Sequence, residues 1–273
     1  MFLADYHNHT HLSPDGFAHA DYISMAKAAA DAGLSELCIT EHCECNGFYM
    51  SIDNNIGFTY DREACRAELL EAREALGNRV ALPFGVEIGQ PTQVPEKAEL
   101  VLNGEDYDFI IGSLHNIRGE VDFCLIDYPS ADVCREMLAR YVKELYELAE
   151  NCVYDVIGHV DYPLRYMRRK FDVDLCPHEE ELRALFTLLR ERGKGIEINT
   201  KVLRGGSPIY TQQDYILRLF REQGGEILTL GSDAHKPEDV GAGLRESAEL
   251  AISQGLDRIA TFRRHEATLH SLR

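Results

Sequence analysis

Basic residues are scarce in this sequence: Lys+Arg total 28 against 46 Asp+Glu, a net charge of −18 over 273 residues. A field of that sign repels polyanions, and the basic stripe that a general nucleic-acid binder needs is missing. A small phosphorylated substrate stays compatible if metal ions or a local arginine group reverse the sign inside a site. No stretch approaches the roughly 20 apolar residues of a membrane span. The opening MFLADYHNHTH turns polar almost at once and lacks a basic start, which is not the pattern of a signal peptide. No Gly/Ser linker, low-complexity tract or repeat interrupts the chain, so a single domain over residues 1–273 is expected. The eight cysteines are scattered, with neither a CxxC pair nor a dense framework. That excludes a disulfide scaffold and points to reduced thiols in a cytoplasmic protein. Cys43-x-Cys45 beside His42 could touch a metal, but two thiolates would make a closed, soft site of the structural kind.

Against these absences stands a hydrophobic fraction of 45%, enough for a substantial core. Short apolar runs rich in β-branched residues predict strands at Phe2–His7, Glu36–Thr40, Val80–Val86, Phe109–Ser113, Val153–Gly158, Gly195–Asn199 and Ile227–Gly231. A further run, Arg258–Phe262, is a candidate to close the order. Amphipathic helical patterns fall between them at Ala20–Ala32, Arg62–Leu76, Ala131–Glu150, Glu179–Arg192, Gln212–Gln223 and Glu238–Gln254, with a weaker one at Thr92–Leu102 that holds Pro95. Alternation of this kind reads as βαβ units on a parallel sheet. Seven units without a composition break favour a closed barrel over a doubly wound open sheet.

Six of the seven strands place a His, Glu or Asp near their C-terminal ends: His7 and His9, Glu41 and His42, Glu87, His115, His159 and Asp161, Asp233 and His235. In a βα barrel those ends converge on the face where the loops build the active site. A lone terminal histidine is ordinary rim polarity; so many together are not. Imidazole and carboxylate suit zinc, iron and manganese. Seven or eight candidates exceed the three or four that one catalytic zinc needs, so two or three ions are expected. His11 lies close enough to be a further candidate, whereas His19 precedes a helix and His178, His265 and His270 read as solvent-facing.

His7-x-His9, Thr-Glu-His42, Gly-Val-Glu87, Ser-Leu-His115, Gly-His159-Val-Asp and Ser-Asp233-Ala-His235 closely resemble, in order and spacing, the PHP (polymerase and histidinol phosphatase) family. The resemblance runs from the first residues to about position 240 and implies a distorted TIM-like (βα)7 barrel with a trinuclear centre. Carried over position by position, it puts His7, His9, Glu87 and Asp233 on one ion. Glu87 would bridge to a second ion held also by His115 and His159. His42 and His235 would hold a third, with Asp15 of Leu-Ser-Pro-Asp-Gly standing where many members have a histidine. Asp-Phe-Ile-Ile-Gly-Ser-Leu-His115, Gly-His159-Val-Asp with Arg165-Tyr166, and Ile-Glu-Ile-Asn199-Thr with Arg204 resemble the stand-alone histidinol-phosphate phosphatases. The loop stretch Asn-Asn-Ile-Gly at 54–57 departs from that branch.

The expected chemistry is metal-assisted hydrolysis of a phosphate monoester, most specifically L-histidinol phosphate. The densest basic run, Arg165 to Lys170, follows His159 at the catalytic face, which makes Arg165 the first candidate for the phosphate, Arg204 the second and Lys201 the third. Asp161 or His235 would protonate the leaving alkoxide. Other readings are a phosphoesterase for a different small ester or nucleotide, and a metal-stabilised barrel that binds without turnover. The sequence leaves the oligomeric state open.

Overall fold

In the computed structural model, residues 1–47, 60–104, 106–204 and 212–273 are described. The Asn-Asn-Ile-Gly stretch at 54–57 lies outside them. Six parallel strands stand side by side in chain order: β3 (His42–Glu44), β4 (Gly85–Gly89), β5 (Phe109–Ser113), β6 (Val156–Ile157), β7 (Gly195–Asn199) and β8 (Leu228–Gly231). A short parallel pair, β1 (Ala4–Asp5) and β2 (Glu36–Leu37), bridges the two edges. Tyr6 N donates to Leu230 O at 2.8 Å and Asp233 N to His7 O at 2.7 Å, fastening β1 to β8. On the other side Leu37 N donates to Ala81 O at 2.9 Å, and Ile39 bridges Phe84 in parallel register. Seven strand segments therefore close into the expected distorted barrel. Strands β4, β5 and β7 are buried along their whole lengths, because parallel strands in a barrel are covered on both faces.

Helices wrap the outside, α1 (Tyr22–Asp31), α2 (Arg62–Leu76), α3 (Pro95–Leu102), α4 (Ala131–Asn151), α6 (Glu179–Glu191), α8 (Gln213–Glu222) and α9 (Leu244–Ser253) within the periodic segments, with two short helices, α5 (Leu164–Met167) and α7 (Lys201–Arg204), that the periodicity did not mark. Asp21, Asp61 and Ser130 cap α1, α2 and α4 by accepting from the amides of Ser24, Ala64 and Val133. Leu182, Leu185, Phe186 and Leu189 form the inward stripe of α6, and Phe186 meets Phe220 of α8 edge-on at 5.6 Å. These side chains belong to one continuous buried core.

Four of these elements differ from expectation. The second strand was expected at Glu36–Thr40; it breaks there and resumes as β3, so His42 lies inside a strand, in register with Glu87. The third strand, expected at Val80–Val86, lies instead at Gly85–Gly89. The run at Arg258–Phe262 does not enter the barrel. It forms β9 (Arg258–Arg263), paired antiparallel with β10 (Glu266–Ser271), and the hairpin closes the end opposite the catalytic face. There Tyr6 Oη receives Phe262 N at 2.9 Å, and Asp108 receives the amides of Arg264 and His265. His265 is exposed as expected while also facing Asp155 at 2.9 Å, and His270, half-buried, stacks on Phe2 with ring centroids 3.9 Å apart. Helix α9 begins six residues later than expected, because Gly241 and Gly243 take left-handed φ of 74° and 80° and break the helix there.

Candidate metal centre

The barrel's C-terminal face gathers six imidazoles. Ring centroids of His9 and His42 lie 4.0 Å apart, His9 and His235 4.5 Å, His7 and His9 5.0 Å, and His115 and His159 5.1 Å. Glu87 lies at their centre and is fully buried. Its Oε2 stands 2.9 Å from His42 Nδ1, 3.3 Å from His7 Nε2 and 3.5 Å from His9 Nε2. Its Oε1 faces His159 Nε2 at 3.1 Å, His115 Nε2 at 3.2 Å and the Ser113 hydroxyl at 2.6 Å. One carboxylate thus turns an oxygen to each of two histidine sets. Asp233 lies 3.8 Å from His9 Nε2, and Asp15 lies 2.7 Å from His235 Nε2 and 3.8 Å from His42 Nε2.

Four trios bring ligand atoms within 4.8 Å of one another: His7, His9 and Asp233; His7, Glu87 and His159; His42, Glu87 and His115; and His9, His42 and His235. His7, His9 and Asp233 stay together as the family resemblance implies, while His42 stands with Glu87 and His115 as well as with His235. The donor set fits divalent ions. His9 Nε2, Glu87 Oε2 and Asp15 Oδ1 are buried without a hydrogen-bond partner, His235 Nε2 faces Asp15 Oδ2, and His115 Nε2 points at His159 Nε2 across 3.3 Å. Lone pairs aimed at a common centre without donors are what metal ligands look like when the ion is subtracted, because buried polar atoms otherwise find partners.

A surrounding layer holds the imidazoles in place. His7 Nδ1 meets Glu197 Oε1 at 2.7 Å, and Glu197 Oε2 also accepts His159 N at 2.9 Å. His115 Nδ1 meets Glu44 Oε1 at 2.8 Å, and His9 Nδ1 meets the Ser13 hydroxyl. Such partners fix the tautomer that turns Nε2 inward. Gly231 makes room for this packing: a Cβ there would sit 2.0 Å from Glu197 Oε1 and 2.4 Å from His7 Cβ. His159 and Asp233 both take left-handed φ, 23° and 52°, a strained backbone of the kind found at functional sites.

Charge follows this geometry. Burial works against ionising His7, yet Glu197 and Glu87 hold it well above the ordinary imidazole range. Burial likewise opposes His115, but Glu44 and Glu87 push it up to about 10. Burial and the neighbouring imidazoles drive His9 down. Glu87 falls well below the carboxylate range because the charges of His7, His115 and His42 outweigh its burial. Burial is likewise outweighed at Asp233 by Lys201, His7, His235 and Arg165.

A cleft of about 290 Å³ opens onto the cluster, lined on the metal side by His7, Asp15, His42, Glu87, His115, His159 and Asp233, and beyond it by Lys201, Asp122, Cys124, Tyr162 and Tyr166. Lys201 Nζ reaches Asp233 at 2.9 Å. Arg165 is buried at 5% exposure, with Nη1 3.4 Å from Asp233, while its Nε and Nη2 have no hydrogen-bond partner. Arg204 turns its guanidinium to the carbonyls of Ser232 and Asp233. Asp161 Oδ2 accepts from Gln212 N at 3.0 Å, outside the cluster. His11 pairs with Glu68 at 3.1 Å, away from the centre, and Cys43 and Cys45 are buried free thiols that join none of the trios. Sequence reasoning left out Glu44, Glu197, Asp122 and Tyr162 as site residues. The first two lie two residues from His42 and Asn199 on strands, a spacing that marks a shared face.

A barrel that collects histidines and carboxylates at the C-terminal ends of its strands defines the class of metal-dependent α/β-barrel hydrolases. The PHP domain model matches residues 5–201, and the chain belongs to the PHP domain family. It is 24% identical over 264 residues to a histidinol-phosphatase of Lactococcus lactis, covering 96% of this chain and 95% of that one. It is 27% identical to a probable histidinol-phosphatase of Deinococcus radiodurans, covering 96% of each. The crystal structure of the Lactococcus lactis histidinol phosphate phosphatase, complexed with zinc, L-histidinol and phosphate, superposes with a TM-score of 0.80 at 23% identity, over 97% of this chain and 98% of that one.

Proposed function

We propose that residues 1–273 form one catalytic domain that hydrolyses phosphate monoesters, with L-histidinol phosphate as the substrate and L-histidinol and phosphate as products. The observation that carries the reading is the convergence of ligand atoms of His9, Asp15 and Glu87 without hydrogen-bond partners beside a cleft that Asp15 and Glu87 line, with buried Arg165, whose Nε and Nη2 are unused, against cleft-lining Asp233. Sequence relatives along nearly the whole chain bear the histidinol-phosphatase name. Two to three divalent ions, zinc, iron or manganese, would be held by His7, His9, Asp15, His42, Glu87, His115, His159, Asp233 and His235. When bound, such ions neutralise the ester oxygens and lower the pKa of water so that a nucleophile exists near neutral pH. Free thiols at all eight cysteines favour a cytoplasmic setting. Among the described residues no helix is long and apolar enough to cross a membrane.

The chain's own residues do the rest. Arg165 presents two unused N–H groups from a buried position, and a phosphate would satisfy them in bidentate fashion. Lys201 adds a cation at the cleft wall. Arg204 binds two backbone carbonyls and so braces Asp233 rather than facing the cleft. Of the two candidates for protonating the leaving alkoxide, Asp161 is engaged with Gln212, and His235 can give a proton from Nε2 only while that atom holds no ion, since its Nδ1 faces Asp233 O. Steady-state assay of metal-loaded protein against a phosphomonoester panel tests the reading. The value of kcat/KM for L-histidinol phosphate should exceed that for p-nitrophenyl phosphate by a factor on the order of 100 or more, since remote contacts are used in the transition state. Clear preference for another ester would overturn the substrate while leaving the metal-dependent phosphatase standing. Some relatives, such as one in Vibrio vulnificus at 25% identity, are named only as probable phosphatases, which keeps a different small ester as the second reading.

A further inference from the structure

The cleft lining contains four carboxylates, and three of them already face histidines or cationic side chains. Asp15 faces His42 and His235, Glu87 faces the histidine cluster, and Asp233 faces Lys201 and Arg165. The fourth, Asp122, meets only neutral donors. Its Oδ1 accepts Cys124 N at 2.8 Å and the Tyr162 hydroxyl at 3.1 Å; its Oδ2 has only a longer contact to that hydroxyl, at 3.4 Å. Among the described residues no ion pair reaches it, although it is 9% exposed. A carboxylate withdrawn from water without a cation is costly, and a ligand that brings one relieves the cost.

Tyr162 fixes where this carboxylate sits. Its ring packs 4.8 Å from His159 and 5.2 Å from His115, with the Arg165 guanidinium 5.1 Å from its centroid. Its hydroxyl donates to Asp122 Oδ1 and lies 3.3 Å from the Tyr166 hydroxyl. One tyrosine thus packs against the metal-facing histidines and holds Asp122, and all of them line the same cleft. A phosphate at the cluster would place its leaving group along that ring. We propose that Asp122, positioned by Tyr162, selects leaving groups that carry a protonated amine. The inference rests on the phosphomonoesterase reading above.

The test compares L-histidinol phosphate with its deaminated counterpart, the imidazolyl-propyl phosphate, in the parent protein and in Asp122→Asn and Asp122→Glu. The parent should prefer the amine-bearing ester in kcat/KM by about a hundredfold, in the range for a site built around a polar partner. Asp122→Asn should shrink that preference to a few-fold, and Asp122→Glu should retain part of it. A role confined to shaping the turn at Phe123–Leu125 would depress both esters together, and an unchanged ratio overturns the proposal. So does a parent protein that hydrolyses both esters equally well, a result needing no variant to fold. Hydrolysis of neither ester by metal-loaded protein would instead sink the phosphomonoesterase reading, and this inference with it.

Discussion

Glu87 is the residue on which the centre turns, because its two oxygens face different histidine sets. Glu87→Ala should empty most of the site and abolish hydrolysis, whereas Asp15→Ala, at the rim, should leave most of the metal in place. Elemental analysis of both variants decides this, and parent-like metal content in Glu87→Ala would refute the assignment. Arg165→Ala should cost on the order of 2–4 kcal/mol in kcat/KM for L-histidinol phosphate, the range for truncating a buried charge contact. A parent-like rate would move the phosphate pocket elsewhere. Glu197→Gln should lower metal affinity or activity by roughly 10–100-fold, since Glu197 orients His7 and receives the His159 amide. Most of the candidate ligands were legible in the sequence because they lie at or just beyond the ends of apolar runs, whereas Asp15, in a turn, was marked only by the family resemblance. Glu44 and Glu197 were not, because they act through another residue's ring, and nothing local marks that partner.

At the scale of elements, strand ends decide the geometry more than helices do. The break between β2 and β3 brings His42 into register with Glu87, where the apolar pattern alone would have ended the strand before it. Gly231 closes β8 where His7 and Glu197 leave no space for a Cβ. Gly231→Ala should destabilise the fold by about 1–3 kcal/mol through overpacking and displace His7 as well. Urea unfolding together with metal titration reads both effects, and an undisturbed site would contradict the crowding seen here. The hairpin of β9 and β10 was invisible as such, because its first strand carries the same alternation of β-branched and apolar residues as a barrel strand. Only the polar anchors Tyr6, Asp108 and Asp155 place it beneath the barrel.

For the whole molecule, metal and protons compete for the same atoms. With no ion bound, His115 is pushed up to about 10 by Glu44 and Glu87 despite its burial, against about 6.5 for an unfolded imidazole. Its contribution to metal-free stability is therefore complete below about pH 6.5 and disappears as the pH rises toward 10. Metal binding requires the proton to leave, so ion affinity runs the other way and weakens as the pH falls. Thermal melts of chelated protein should show Tm dropping between pH 7 and 9.5, with the metal-loaded protein spared that drop. A chelated protein that gains stability over the same range would contradict the charge pattern of the cluster. Chelation at neutral pH should also remove hydrolysis, and full turnover without metal would sink the mechanism.

The sequence by itself determined the closed α/β barrel, the order of its strands and the types of side chain at their ends. Each depends on periodicity and on residue chemistry, which are local properties. The tertiary structure alone decided which ligand atoms share a centre, which carboxylates are already neutralised, and that Asp122 is not. The same holds for Arg204, which serves the backbone of Ser232 and Asp233, and for Arg165, whose donors stay unused. Those facts depend on distances between residues far apart in the chain, such as the pairing of His7 with Glu197. Barrel closure sets these distances, and the pattern along any one strand does not carry them.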